Sequence, residues 1–326
     1  AHPKSHLPNI YHILLDAHPN QKAMELLGGD LRPFYRELES LGFMTFPESM
    51  SNYWHTARSL ASMCKLDYLD PDENEQLKIK NNLNAEPPIL HAAIRDSRLH
   101  SILKEYYTIQ RYFEQNCKGW YHAFFEKNGY TTPLSKMCWV TFNRTIFSRF
   151  AWYHRFDIHA RKEEISTIFA HLAQAKETYG PVNHFFYAHI LSPHAPLLYP
   201  ELSALYYDGC FTKTSDFPIL CENVYGIDRE TLFAIQKIVK SYQNEPIQPI
   251  ILLHSDHGLE ASYFFSKEYK NLDTTYGNLL AIYMPDSWKK DAQNLTFINL
   301  YRFILNHLLG TNIPYIKDNK QVGYED

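Results

Sequence analysis

The chain has 326 residues, 45% of them hydrophobic, and a formal net charge of −4 from 32 basic and 36 acidic side chains. That length buries a sizeable core as one large domain or two ordinary ones, and the mild acidity gives no general attraction to nucleic acid or an anionic membrane. No apolar stretch approaches the roughly 18 residues needed to span a bilayer, which excludes a transmembrane helix within this sequence.

Residues 8–16 read as a first strand, since 10–15 are apolar and too short a run for an ordinary helix. Helical turns follow over 22–27 and 31–41, separated by Gly28-Gly29, and 42–47 reads as a short second strand. Ser51-Asn52-Tyr53-Trp54-His55-Thr56 leads into the small and apolar residues 57–63, which suit the start of a buried helix. Residues 71–88 are charged and Asn-rich, a surface excursion. Apolar residues recur at helical spacing over 89–103, and 106–113 reads as another strand.

The aromatic and basic segment 114–160 has no clear period and is expected to form irregular helices over the site. An amphipathic helix follows over 162–178, with Ile165, Ile168, Phe169 and Leu172 on one face. A core strand covers 183–190 and ends at Ser192-Pro193-His194. Residues 228–243 read as helix, 249–253 and 278–283 as strands, and 298–309 as a helix stopped by Gly310. Strands alternating with helices predict an α/β fold with a mostly parallel central sheet flanked by helices on both faces. No repeat or linker divides the chain, so a single domain is expected across 1–326, with a variable helical insertion around 70–180.

The 24 Tyr, 20 Phe and 5 Trp point to a well-filled core, with a carbohydrate- or lipid-facing surface as the alternative. The five cysteines show no CxxC spacing, which argues against a zinc knuckle. Cys210 and Cys221 flank a loop-like stretch and could pair in an oxidising compartment. The chain opens at Ala1 rather than Met, as expected of a processed protein or an excised soluble domain.

Two apolar runs break off into metal-binding side chains. The first ends in Asp16 and the second in His254-Ser255-Asp256-His257-Gly258. Ligands of open α/β sheets sit beyond the carboxyl ends of the strands, so neighbouring strands with these ends would converge on one point. Asp oxygen and His nitrogen together suit Zn²⁺ or Mn²⁺ better than Ca²⁺, and Gly258 lets the backbone turn so that both side chains face one ion. The plain alternative is a loop with a capping Asp; Asp16 is open to the same reading.

Thr56 sits at a loop-to-helix junction, where a bound metal and the positive helix end would lower its hydroxyl pKa toward an alkoxide nucleophile. A simple N-cap is the alternative. His189 and His194 lie around a Ser-Pro turn and could bind a metal, hold a substrate oxygen or act as general acid. With 17 His in the chain, most must be structural.

Taken in order, residues 8–16, 51–62, 189–196 and 254–258, with 276–283 and 298–307 behind them, resemble the sulfatase-like hydrolase/transferase branch of the alkaline phosphatase superfamily. That branch includes lipoteichoic acid synthases and phosphoethanolamine transferases. The resemblance runs from about residue 8 to 316 and is weakest across 70–180. It implies that Asp16, Thr56, Asp256 and His257 hold a divalent metal, Zn²⁺ or Mn²⁺ before Mg²⁺ or Ca²⁺, with Thr56 also the nucleophile. His189 and His194 match the middle histidine motif, which binds substrate or helps the leaving group.

One ion is expected, because the full second-metal set of two-metal phosphatases is not evident. Sulfatases carry Cys or Ser in C/S-x-P-x-R for conversion to formylglycine, whereas this chain has Thr56-Ala57-Arg58-Ser59-Leu60, which argues against sulfate esters. After the first Asp, Ala17-His18-Pro19 departs from the usual pattern and could add a ligand in His18.

The resemblance further implies an extracytoplasmic domain, with membrane association through a segment absent from this chain. The expected activity is phosphoryl-group chemistry on a phosphate-ester small molecule, a lipid headgroup or a glycan, with transfer favoured over hydrolysis. A catalytically silent member that binds a glycan, a lipid or a protein is the alternative.

Overall fold

The computed structural model describes residues 6–69, 97–113, 151–194, 197–199, 217–259 and 272–319. The expected excursion over 71–88, residues 114–150 of the irregular helices expected over 114–160, and Cys210 with its proposed pairing lie outside them; the remainder, 151–160, belongs to one regular helix, Ala151–Ala173. Cys221 is a buried free thiol that donates to the Leu27 carbonyl at 3.7 Å.

Six strands form one sheet: β1 (Ile10–Leu15), β2 (Met44–Thr45), β3 (Thr108–Phe113), β4 (His184–Ile190), β5 (Ile250–His254) and β6 (Leu280–Tyr283). Their order is β2-β6-β5-β1-β4-β3. β1 pairs in parallel with both β4 and β5, and β3 with β4. β6 runs antiparallel to β5, so the mostly parallel sheet carries one reversed strand.

The apolar runs are continuous because both faces of the sheet are covered. Tyr11, Ile13 and Leu15 of β1 enter one core, while Ile10 and Leu14 enter the other. The first core is closed by α2 (Arg32–Ser40), by α5 (Ala151–Ala173) and by α7 (Phe217–Ser241). The second is closed by α3 (Thr56–Lys65), α4 (Arg98–Tyr106) and α10 (Leu300–Leu309). Short helices α1 (Gln21–Leu26), α6 (Ala175–Tyr179), α8 (Leu272–Tyr276) and α9 (Asp286–Lys289) complete the described elements.

The helix read over 162–178 is two helices that break at Gln174, and its apolar face is buried as expected. The helix read from 228 begins at Phe217. Gly226 sits inside it because a Cβ there would lie 2.2 Å from the Tyr199 ring, so this glycine serves close packing rather than a helix end. Gly310 does end α10, in the left-handed conformation at φ 63°.

Candidate metal centre

The register of the two central strands builds the site. Leu14 of β1 lies opposite His254 of β5, and Asp16 and Asp256 each follow two residues later at the carboxyl ends. Ala17 then adopts φ 59°, a sparsely populated conformation for a residue with a Cβ, and its N–H donates to Asp256 Oδ1 at 3.2 Å. Ser59 Oγ, one turn into α3, donates to the Asp256 carbonyl at 2.5 Å and ties the helix to the same loop.

Asp16, Asp256 and His257 are buried and bring one ligand atom each within 4.8 Å of one another. His257 Nδ1–H donates to the Gly258 carbonyl at 2.7 Å, so in the neutral imidazole Nε2 presents a lone pair. That lone pair faces Thr56 Oγ1 at 3.2 Å, Asp256 Oδ2 at 3.4 Å and Asp16 Oδ1 at 3.7 Å. Two ligands bonded at about 2.05 Å to one tetrahedral ion stand about 3.3 Å apart, so these spacings are those of neighbours in a coordination shell.

Asp16 Oδ1 and Asp256 Oδ2 are buried without a hydrogen-bond partner. Desolvated oxygens left bare beside an imidazole lone pair are costly unless a cation completes them, so the group fits a divalent ion. Burial alone would raise the Asp16 carboxyl. His194, then the hydrogen bond and charge of His189, and then His257 reverse that and bring it down to about 2. The carboxylate is therefore held ionised.

Thr56 is the first residue of α3 and half-buried, and His55 ahead of it makes no side-chain cap. His189 is buried at the end of β4, with Nε2 at 3.1 Å from Asp16 Oδ2, behind the carboxylate rather than in front of it. His194 is half-buried, and its backbone N–H donates to the Asp16 carbonyl at 3.1 Å. His18 does not join the group as the extra ligand suggested by sequence. Its Nε2 turns to Asp228 Oδ1 at 2.8 Å on α7.

Gly258 lies in the bend over 256–259, and a second constraint holds it there. A Cβ there would lie 2.3 Å from the Thr274 carbonyl and 2.8 Å from that of Gly277, so its role is close backbone approach.

Sequence reasoning also missed a buried imidazole pair beneath the centre. His12 Nε2 lies 2.5 Å from His254 Nε2, and Tyr301 Oη lies 2.5 Å from His12 Nδ1. His254 Nδ1–H donates to the Ser255 carbonyl at 3.1 Å. The tautomers follow: Tyr301 donates to His12, and His12 donates to His254. Both imidazoles are neutral in this chain of bonds, which ends on the peptide preceding Asp256. The available signal was two histidines set within otherwise apolar strands.

No protein-family model and no curated protein matches the sequence. Solved structures do. The C-terminal periplasmic domain of EptC from Escherichia coli, in complex with Zn, matches at 14% identity and TM-score 0.53, covering 94% of this chain and 83% of that one. A putative sulfatase, YidJ of Bacteroides fragilis, matches at 13% identity and TM-score 0.54, covering 94% and 75%. Ps i-CgsB in complex with k-i-k-neocarrahexaose matches at 14% identity and TM-score 0.54, covering 94% and 73%. Agreement over nearly the whole chain at such low identity is agreement of architecture, and the chain has the alkaline phosphatase-like α/β fold.

Proposed function

We propose that this protein is a metal-dependent transferase or hydrolase of phosphate esters, with Thr56 as nucleophile and Asp16, Thr56, Asp256 and His257 as the metal-binding set. The observation that carries the reading is the His257 lone pair facing two bare carboxylate oxygens and the Thr56 hydroxyl at 3.2 to 3.7 Å. The mixed oxygen and nitrogen donors favour Zn²⁺ or Mn²⁺. An ion held there would supply positive charge that lowers the Thr56 hydroxyl pKa and offsets charge on the phosphoryl oxygens.

Thr56 Oγ1 loses its proton to solvent and forms the bond to phosphorus while the ester P–O bond opposite it breaks. The first-turn N–H groups of α3, which receive no side-chain cap from His55, would face the phosphoryl oxygens. His194, half-buried beside Asp16, protonates the departing oxygen. His189 holds Asp16 in place through Oδ2. The phosphothreonine then passes its group to water or to an acceptor hydroxyl, and neighbours that bind glycans support a sugar-bearing substrate over a free nucleotide. A neighbour that is a periplasmic domain supports an extracytoplasmic setting.

The test uses zinc- or manganese-loaded protein with an activated p-nitrophenyl phosphodiester. Wild type should turn over and yield Thr56 joined to the phosphoryl group, still carrying the substrate's other ester substituent, on acid quench and peptide mass analysis. Thr56→Ala should lose at least a hundredfold in rate. Full activity in that variant removes the nucleophile.

A further inference from the structure

Among the described residues, the members of the candidate centre differ in exposure. Asp16, Asp256 and His257 are buried, whereas Thr56 keeps partial contact with solvent. The segment that leads into α3 is joined directly to this half-buried residue. On that segment Tyr53 is fully buried, and the next residue, Trp54, is 37% exposed.

The segment is firmly held. Ser51 N–H donates to the Tyr276 carbonyl and Ser51 Oγ to the Tyr53 carbonyl, both at 2.8 Å. Asn52 Nδ2 donates to Ser62 Oγ at 2.8 Å, and Leu69 N–H to Tyr53 Oη at 2.9 Å. The indole itself stands at 84° to the His55 ring, with centroids 5.6 Å apart.

Leaving a large aromatic surface in water forgoes the stabilisation that burial would bring. A fixed indole exposed two residues before the reactive hydroxyl has the character of a recognition element. We propose that Trp54 is a stacking platform for a pyranose ring of the substrate, its apolar C–H face laid on the indole while the phosphate ester reaches Thr56. The inference rests on the phosphate-ester reading and names the group attached to that ester.

Three features favour a sugar. A cationic headgroup, which would also seek an indole face, meets Arg58 four residues on, a like charge at the same helix start. An acyl chain needs an apolar patch, and the chain neighbours of Trp54 are the fully buried Tyr53 and the polar His55, which add no apolar surface beside it. A pyranose needs only one flat ring with polar groups in the same segment, and His55 and Arg58 belong to that segment.

The experiment compares two p-nitrophenyl phosphodiesters on zinc-loaded protein, one carrying a pyranosyl group and one carrying methyl. Wild type should prefer the pyranosyl ester in kcat/KM. Trp54→Ala should reduce that preference about tenfold, mainly through KM, and Trp54→Phe should retain most of it. An unchanged ratio in Trp54→Ala, or no preference in wild type, overturns the proposal. If neither ester turns over, the catalytic reading fails by itself. The stacking is then decided by titrating the pyranosyl ester into Thr56→Ala: a shift of the Trp54 indole N–H resonance absent with the methyl ester supports it, and no shift overturns it.

Discussion

His18 and Asp228 form a fully interior pair, Nε2 to Oδ1 at 2.8 Å, that fastens the turn after β1 to helix α7. The other ring nitrogen, Nδ1, lies 2.8 Å from the Pro19 carbonyl, so both sides of the imidazole are engaged. Burial pushes the Asp228 carboxyl up, against the opposing pull of His18 and Arg229. The His18 carbonyl accepts from Ser255 Oγ at 2.6 Å and from Leu279 N–H at 3.2 Å, so this one residue ties together three segments around the centre. Asp228→Ala should lower unfolding free energy by about 3 kcal/mol in urea and weaken zinc binding, although Asp228 touches no candidate ligand. A loss below about 1 kcal/mol in urea would contradict the anchoring role.

The buried imidazoles make stability depend on pH in a defined window. Burial, then the charges of His254 and His189, hold His12 well below its ordinary 6.5; burial brings His254 to about 4, against the pull of its Ser255 bond. A histidine whose folded pKa lies below its unfolded value resists protonation only while folded. Its contribution is complete above about pH 6.5 and is lost as pH falls toward 4. The unfolding free energy of the metal-free protein, read by urea unfolding, should therefore drop between pH 7 and 5 by about 2 kcal/mol for each of the two imidazoles. Asp16, held at about 2, belongs to a separate window below pH 4. A flat profile between pH 7 and 5 would show that the imidazoles are not held neutral.

Metal and fold should be linked. A ligand that binds the native state alone at a hundred times its dissociation constant adds about 2.7 kcal/mol, a rise of several degrees in Tm. Zinc should raise the Tm of protein stripped with EDTA, and Asp256→Ala should abolish the rise. An equal rise in both proteins would place the ion elsewhere.

Gly258→Ala should be among the most damaging small substitutions. Its methyl group would meet backbone at 2.3 Å, and that backbone belongs to α8, which cannot rotate away as a side chain can. We expect a loss of about 2 kcal/mol or more in stability and at least tenfold weaker zinc binding, read by urea unfolding and by competition with a chromogenic chelator. Wild-type values for both would mean that α8 shifts freely.

The parts of this fold that were legible in the sequence share one physical trait. β1, β4 and β5 are buried on both faces, so they show as unbroken apolar runs, and their ends mark where Asp16, His189 and Asp256 stand. The start of α7 was hidden because Gly226, a residue that weakens a helix when judged locally, is fitted to the Tyr199 ring, a packing contact that no local period records. The bonds from His12 to His254 and from His18 to Asp228 join residues more than two hundred apart, and no local period records such a pairing. His189 was found, but its place behind Asp16 depends on the register between β1 and β4.

The levelling of Asp16 with Asp256 has a bearing on the order of events as the chain matures. About three-quarters of the polypeptide separates the two acids, and only the laying of the β5 segment against β1 brings them abreast. An ion therefore finds no cradle on a nascent or half-formed chain, and cannot act as the seed around which the molecule condenses. Assembly comes first and loading second, which leaves the choice of metal to whichever compartment holds the finished domain.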